Sequence, residues 1–151
     1  MGVKKMIGLG CTLSMTPSTS SSSYTTIAGL ISLPGPNASA EQVDTSTIDN
    51  STSGSGTASN WKTFARGQID PGEMSMTVAY GTTDTSSKKL GTAFKDGVMR
   101  KWKVTMPTTA SSKDEIFNGF VKAMGREITK DAMITRTVTI KASGNPGFTS
   151  T

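Results

Sequence analysis

Ala65-Arg-Gly-Gln-Ile-Asp-Pro-Gly-Glu-Met-Ser-Met-Thr-Val-Ala-Tyr-Gly81 decides the fold of this chain. Asp70-Pro71-Gly72 reads as a turn, because Pro71 presets φ and Gly72 accepts φ > 0. Residues 73–80 then alternate as a strand. Met74, Met76, Val78 and Tyr80 share one face; Glu73, Ser75, Thr77 and Ala79 share the other. Upstream, residues 46–60 are rich in Ser, Thr and Gly and too polar to bury a face of their own. A long polar loop hinged on a firm strand suits a subunit whose loops meet other copies of itself.

Working outward, 151 residues are enough for one domain with a single core. Apolar residues make up only 34%, which favours a thin β architecture with polar loops and burial between subunits. The chain has no histidine, so the commonest general base and metal ligand is missing. Cys11 is alone, which excludes an intrachain disulfide and a cysteine-rich zinc cluster and fits a reducing compartment of synthesis. Sixteen Lys+Arg against 11 Asp+Glu give +5, spread over Lys4/Lys5, Lys88/Lys89, Arg100/Lys101/Lys103 and Lys141. Charges so scattered read as a solvated surface and not as a nucleic-acid arm. Lys4-Lys5 followed by a short apolar run to Cys11 resembles a lipoprotein signal only faintly. Gly8 and Gly10 break the run, and no stretch approaches transmembrane length, so no membrane partner is expected.

The expected organisation is a flexible arm over residues 1–23, a β-sandwich domain over 24–142 with a long loop at 46–62, and a tail over 143–151. Within the arm, 11–15 is a weak strand-like patch. Residues 24–33 read as a strand with Ile27, Ile31 and Leu33 on one face, stopped by the turn Pro34-Gly35-Pro36-Asn37. Residues 41–48 read as a polar edge strand. Trp61 and Phe64 are aromatic anchors, one of them expected in the core. A helix is expected at about 84–96, capped by Asp84 or Thr85, striped by Leu90, Ala93 and Phe94 and closed by Gly97. Gly91 weakens its interior by roughly 1 kcal/mol relative to Ala, so packing must hold it.

Residues 98–106 alternate again, with Val98, Trp102, Val104 and Met106 on one face and Met99, Lys101, Lys103 and Thr105 on the other. Residues 115–124 carry apolar side chains on both faces, as in a strand covered on both sides. Residues 125–127 read as a bend. Residues 133–142 close the domain with Ile134, Val138, Ile140 and Ala142 inward. The sum is a mainly β fold, a two-sheet β-sandwich or small barrel with one helix.

No constellation supports catalysis. Ser59/Lys62 and Ser86/Lys89 have the Ser-x-x-Lys spacing of serine acylases, but the companion Ser-Asp-Asn and Lys-Thr-Gly motifs are absent. Asp44, Asp49, Asp70, Asp114 and Glu115 have no metal-ligand spacing. Gly54-Ser-Gly56 lacks the Gly-Lys-Ser/Thr of a phosphate loop. The expectation is a non-enzyme without cofactors or metals. Parity puts Lys101 and Lys103 on a charged stripe opposite Trp102, a solvated or inter-subunit stripe and a weak nucleic-acid platform.

The order of elements resembles the major tail tube proteins of long-tailed, lambda-like bacteriophages. The resemblance rests on Thr26-Ile-Ala-Gly-Leu-Ile-Ser-Leu-Pro-Gly-Pro36, then Val43-Asp-Thr-Ser-Thr-Ile-Asp49, then Phe64-Ala-Arg-Gly-Gln-Ile-Asp-Pro-Gly-Glu-Met-Ser-Met-Thr-Val-Ala-Tyr80. Met133-Ile-Thr-Arg-Thr-Val-Thr-Ile-Lys-Ala-Ser-Gly-Asn-Pro146 looks like the family's closing strand. Gly10-Cys-Thr-Leu13 looks like its Gly-Thr-x-Leu opening, from which Cys11 departs.

The resemblance implies a virion protein assembled in the host cytoplasm. Hexameric rings would stack into a hollow tube built around a tape-measure protein and finished by tail terminator and tail-tip proteins. That tube would conduct double-stranded DNA to the host without binding it specifically. A type VI secretion tube protein is the nearest alternative, and a small secreted or surface binding module lipidated at Cys11 a distant one.

Clustered lumenal cations would hold phosphates. Glu41, Asp44 and Glu73 are therefore expected to face the lumen, with Lys101, Lys103 and Lys141 outside or paired between subunits. Ser46, Ser51, Ser53, Gly54, Gly56, Ser59, Trp61 and Lys62 are expected to stack ring on ring, together with the termini.

Overall fold

The computed structural model describes residues 10–45, 62–81, 85–107 and 113–145. They form two compact units, residues 38–70 and the remainder of the chain.

The larger unit is built on one antiparallel sheet. Its strands are β1 (Thr12–Met15), β2 (Thr25–Thr26), β3 (Leu30–Ser32), β6 (Glu73–Ala79), β7 (Arg100–Met106), β8 (Lys113–Glu127) and β9 (Thr135–Ser143). The helix α1 (Thr85–Asp96) belongs to the same unit. The smaller unit is a ribbon of β4 (Ser39–Asp44) and β5 (Phe64–Asp70).

The sheet order is β2-β1-β7-β8-β9-β6-β3. At 15 residues, β8 spans about 50 Å at ~3.3 Å per residue. Its first part, residues 113–119, pairs with β7, and its later part, residues 118–127, pairs with β9. One long strand therefore serves two partners in succession, and the staggered sheet curls into a half-barrel. A bulge between Val121 and Ala123 adds to the bend.

Alternation fixes which face is filled. Leu13, Met15, Met74, Met76, Val78, Trp102, Phe117, Val121, Val138, Ile140 and Ala142 form one buried cluster, to which α1 contributes Leu90 and Ala93 and the chain before β3 contributes Ile27. Gly97, at φ +63°, ends the helix. Asp96 then accepts the Val98 N–H at 3.0 Å through Oδ1 and Arg100 Nη2 at 2.5 Å through Oδ2.

The expected mainly β fold with one helix holds, with two sheets of unequal size. Several details differ. Residues 12–15, expected in a flexible arm, pair on both sides as β1 and bury Leu13 and Met15. The strand expected over 24–33 breaks at Gly29, φ +73°, into β2 and β3, which leaves Ile31 exposed. Phe94, Val98 and Ile134 are exposed, and so is Phe64, one of the two aromatic anchors. Residues 125–127 continue β8 instead of bending. β8 is buried on one face only, with Phe117 and Val121 inward and Ile116 outward. Asp84 and Trp61 lie outside the described residues.

The placement of β1 can be tested. Leu13→Ala removes a fully buried side chain, and the expected loss is about 2–5 kcal/mol in urea denaturation of the monomer. A change within about 0.5 kcal/mol, as at surface positions, would restore the arm.

Candidate assembly surfaces

Every described side chain of β4 and β5 is exposed apart from Gly67, and Val43, Phe64 and Ile69 are large apolar ones. The register runs from Ser39↔Asp70 to Asp44↔Phe64. Thr45 N–H donates to Thr63 O at 2.9 Å, and Lys62 bridges Asp44 at 3.7 Å, both at the mouth of the connecting loop. A two-stranded ribbon with no buried face is marginal in water, so its apolar residues call for a covering surface. Of the expected stacking residues, Lys62 sits at this mouth. Ser46, Ser51, Ser53, Gly54, Gly56, Ser59 and Trp61 lie outside the described residues.

Sequence reasoning missed β5. Its alternation carries no burial signal, because both faces are wet. Asp70-Pro71-Gly72 does turn with Gly72 at φ +82°. The turn transfers the chain from one sheet to another, since β5 pairs with β4 while β6 pairs with β9 and β3. At this root the strands leaving and returning are in contact: a Cβ on Gly72 would lie 2.2 Å from the Asn37 carbonyl oxygen.

The seven-stranded sheet has one filled face and one open face. The open face carries Glu73, Ser75 and Thr77 of β6 opposite Lys141, Thr139 and Thr137 of β9. Ser75 and Thr139 hydroxyls are hydrogen bonded at 3.2 Å. Glu73 is bridged by Lys122 from the β8 bulge. Lys101 and Lys103 lie on the same face, opposite Asn118 and Ile116.

The structure thus brings Glu73, expected at the lumen, and Lys141, expected outside or between subunits, into one directly opposed pair. Sorting these two to different surfaces fails for a geometric reason, since directly opposed residues project to the same side. Glu41 and Asp44 are exposed on the separate ribbon.

Cations from both faces of β7 and from α1 hold residues 16–25. Arg100, buried, donates through Nη1 to the carbonyls of Thr16 at 3.3 Å and Pro17 at 3.0 Å. Lys101 Nζ reaches Ser21 O at 3.3 Å, and Lys103 Nζ sits 4.2 Å from the Tyr24 ring centroid. Lys89 Nζ donates to Thr25 Oγ1 at 2.8 Å. Parity places Arg100 beside Trp102 on the filled face, a signal present in the sequence but hidden by its charge.

The profile of the family described as lambda phage tail tube protein, TTP, matches residues 11–149. No curated protein sequence matches significantly. Among solved structures, the tail of an empty GTA particle with C6 symmetry is similar at TM-score 0.68 and 15% identity, over 93% of this chain and 96% of that one. The SPP1 tail tube is similar at TM-score 0.62 and 8% identity, over 93% and 77%. The anti-feeding prophage baseplate, sixfold symmetrised, contains a chain similar at TM-score 0.68 and 6% identity, over 95% of both.

Proposed function

As a member of the lambda phage tail tube protein family, this chain is a structural subunit of a virion tail, and we propose that rings of six copies stack into a tube that passes double-stranded DNA. Sixfold symmetry is that of the GTA tail. The open face of the sheet is the lining of the channel, and this face is the observation that carries the reading. A moving polyanion needs a hydrated wall without free cation clusters. Ser75, Thr77, Thr137 and Thr139 supply hydroxyls there, and Glu73 lies between Lys122 and Lys141. Lys101 and Lys103 are engaged by Ser21 and Tyr24. Charge is thus offset within the face, in place of an acidic wall with lysines outside. A tape-measure protein would occupy the channel before DNA does, and tail terminator and tail-tip proteins would cap the ends.

Negative-stain images of purified protein test the assembly. Rings or uniform hollow tubes are expected, and persistent monodisperse monomers would overturn the reading.

The ribbon and its loop, residues 38–70, are the arm between rings. Another copy would cover their exposed Val43, Phe64 and Ile69. Deleting residues 51–58 is expected to leave a folded subunit that no longer forms long tubes. Tubes of wild-type rate and length from that deletion would remove the loop from stacking.

A further inference from the structure

Near the end of β8, two cations stand where a sheet ordinarily avoids them. Arg126 of β8 and Arg136 of β9 are directly opposite in register, and like charges so placed repel. The Tyr80 ring is shared by both guanidinium groups, 5.2 Å and 4.7 Å from its centroid. Its negative face offsets part of the repulsion. Arg136 Nη1 also donates to Ser87 O at 3.2 Å, which anchors that guanidinium to α1. Among the described residues neither arginine has a carboxylate partner. Glu127, next along β8, pairs with Thr135 and projects to the other face. The adjoining loop exposes Ile128 at 68% and Met133 at 65%. This end of the sheet is cationic and apolar.

The beginning of β8 is the reverse. Glu115 is half-buried on the face of Phe117, Asp114 is exposed on the face of Ile116, and neither has an ion-pair partner among the described residues. Ile116 beside them is exposed. Along β8 the distance from Asp114 to Arg126 is about 40 Å at ~3.3 Å per residue. A surface with two unlike ends joins head to tail, and such a contact repeats along a line or closes a ring.

We propose that Arg126 and Arg136, which share the Tyr80 ring, receive the carboxylate of Glu115 from a second copy of this chain, joining sheets end to end between successive rings. The proposal rests on the tail tube reading above. Charge complementarity selects the occupant: a carboxylate without an ion-pair partner lies near the start of β8, and two guanidinium groups without a carboxylate partner lie on the same face near its end, one on β8 and one on β9. Docked, the pair trades like-charge repulsion for charge-assisted hydrogen bonds.

The test uses Arg126→Glu and Glu115→Arg. Each alone sets like charges against each other and is expected to slow polymerisation at least about tenfold, the size of a close charge-pair coupling. Mixed in equal amounts, the two are expected to co-assemble, since each junction then meets its opposite charge. Arg126→Lys should keep most of the wild-type rate, and wild-type assembly should slow as salt is raised. Circular dichroism and thermal melts show whether each monomer is folded. If Arg126→Glu is unfolded, the salt dependence and Arg126→Gln decide in its place.

If wild-type protein forms no rings or tubes, the tail tube reading itself fails. If wild-type tubes form and folded Arg126→Glu polymerises at the wild-type rate, this contact is wrong while that reading stands. Rescue by Glu41→Arg in place of Glu115→Arg would move the acidic partner to the ribbon and overturn the assignment.

Discussion

Trp102→Ala is expected to cost the subunit about 3–5 kcal/mol, a large share of the stability of a domain. Trp102 is fully buried at the centre of β7. Its register partners are Met15 on β1 and Phe117 on β8, so it ties three strands through one side chain. Its indole Nε1 also donates to Gly119 O at 3.2 Å. Truncating such a residue costs about 3–5 kcal/mol, against total stabilities of about 5–15 kcal/mol for a domain.

Trp102→Phe separates the two contributions. It keeps much of the apolar area but leaves the Gly119 carbonyl without its donor, a loss of about 1–3 kcal/mol. Urea titrations followed by circular dichroism should rank wild type above Trp102→Phe above Trp102→Ala. A Trp102→Ala midpoint equal to wild type would show that β7 is not the centre of the core.

Gly72→Ala should be nearly as severe, for a backbone reason. Gly72 has φ +82°, which costs a residue with a side chain about 1–3 kcal/mol. Its added methyl would lie 2.2 Å from the Asn37 carbonyl oxygen and 2.6 Å from the carbonyl carbon, so backbone must move. The Gly72 carbonyl meanwhile accepts the Ala142 N–H at 3.1 Å, so the shift reaches β9. The expected loss is about 3 kcal/mol or more, or roughly 6–12 °C in Tm for a chain of this size. Gly35→Ala is the control, since a Cβ there meets nothing within 4 Å. Equal melting temperatures for the two variants would sink the argument.

The parts of this fold that were legible in sequence are those where burial and period agree. Met74/Met76/Val78 and Val138/Ile140/Ala142 alternate cleanly because one face of each strand is filled and the other is wet. β1 was obscured by its shortness and its Ser and Thr neighbours, although Leu13 and Met15 are among the best buried residues. β5 was illegible because neither of its faces is buried within the subunit. The arginine pair on Tyr80 was hidden because register, and not spacing along the chain, brings Arg126 opposite Arg136. Glu73 and Lys141 show the same limit: pairing across strands decides which surface a charge belongs to.

The position of β9 between β8 and β6 also bears on when the molecule can fold. During synthesis β6 emerges long before β9. Until then its available sheet neighbour is β3, a strand of 3 residues, paired through Leu30 and Ser32. Met74, Met76 and Val78 therefore wait on the ribosome without their main partner, which arrives with residues 135–143. The nascent chain is obliged to fold late, and pairings so distant in sequence close slowly. Until residues 135–143 have been made, the sheet offers no finished surface to neighbouring copies.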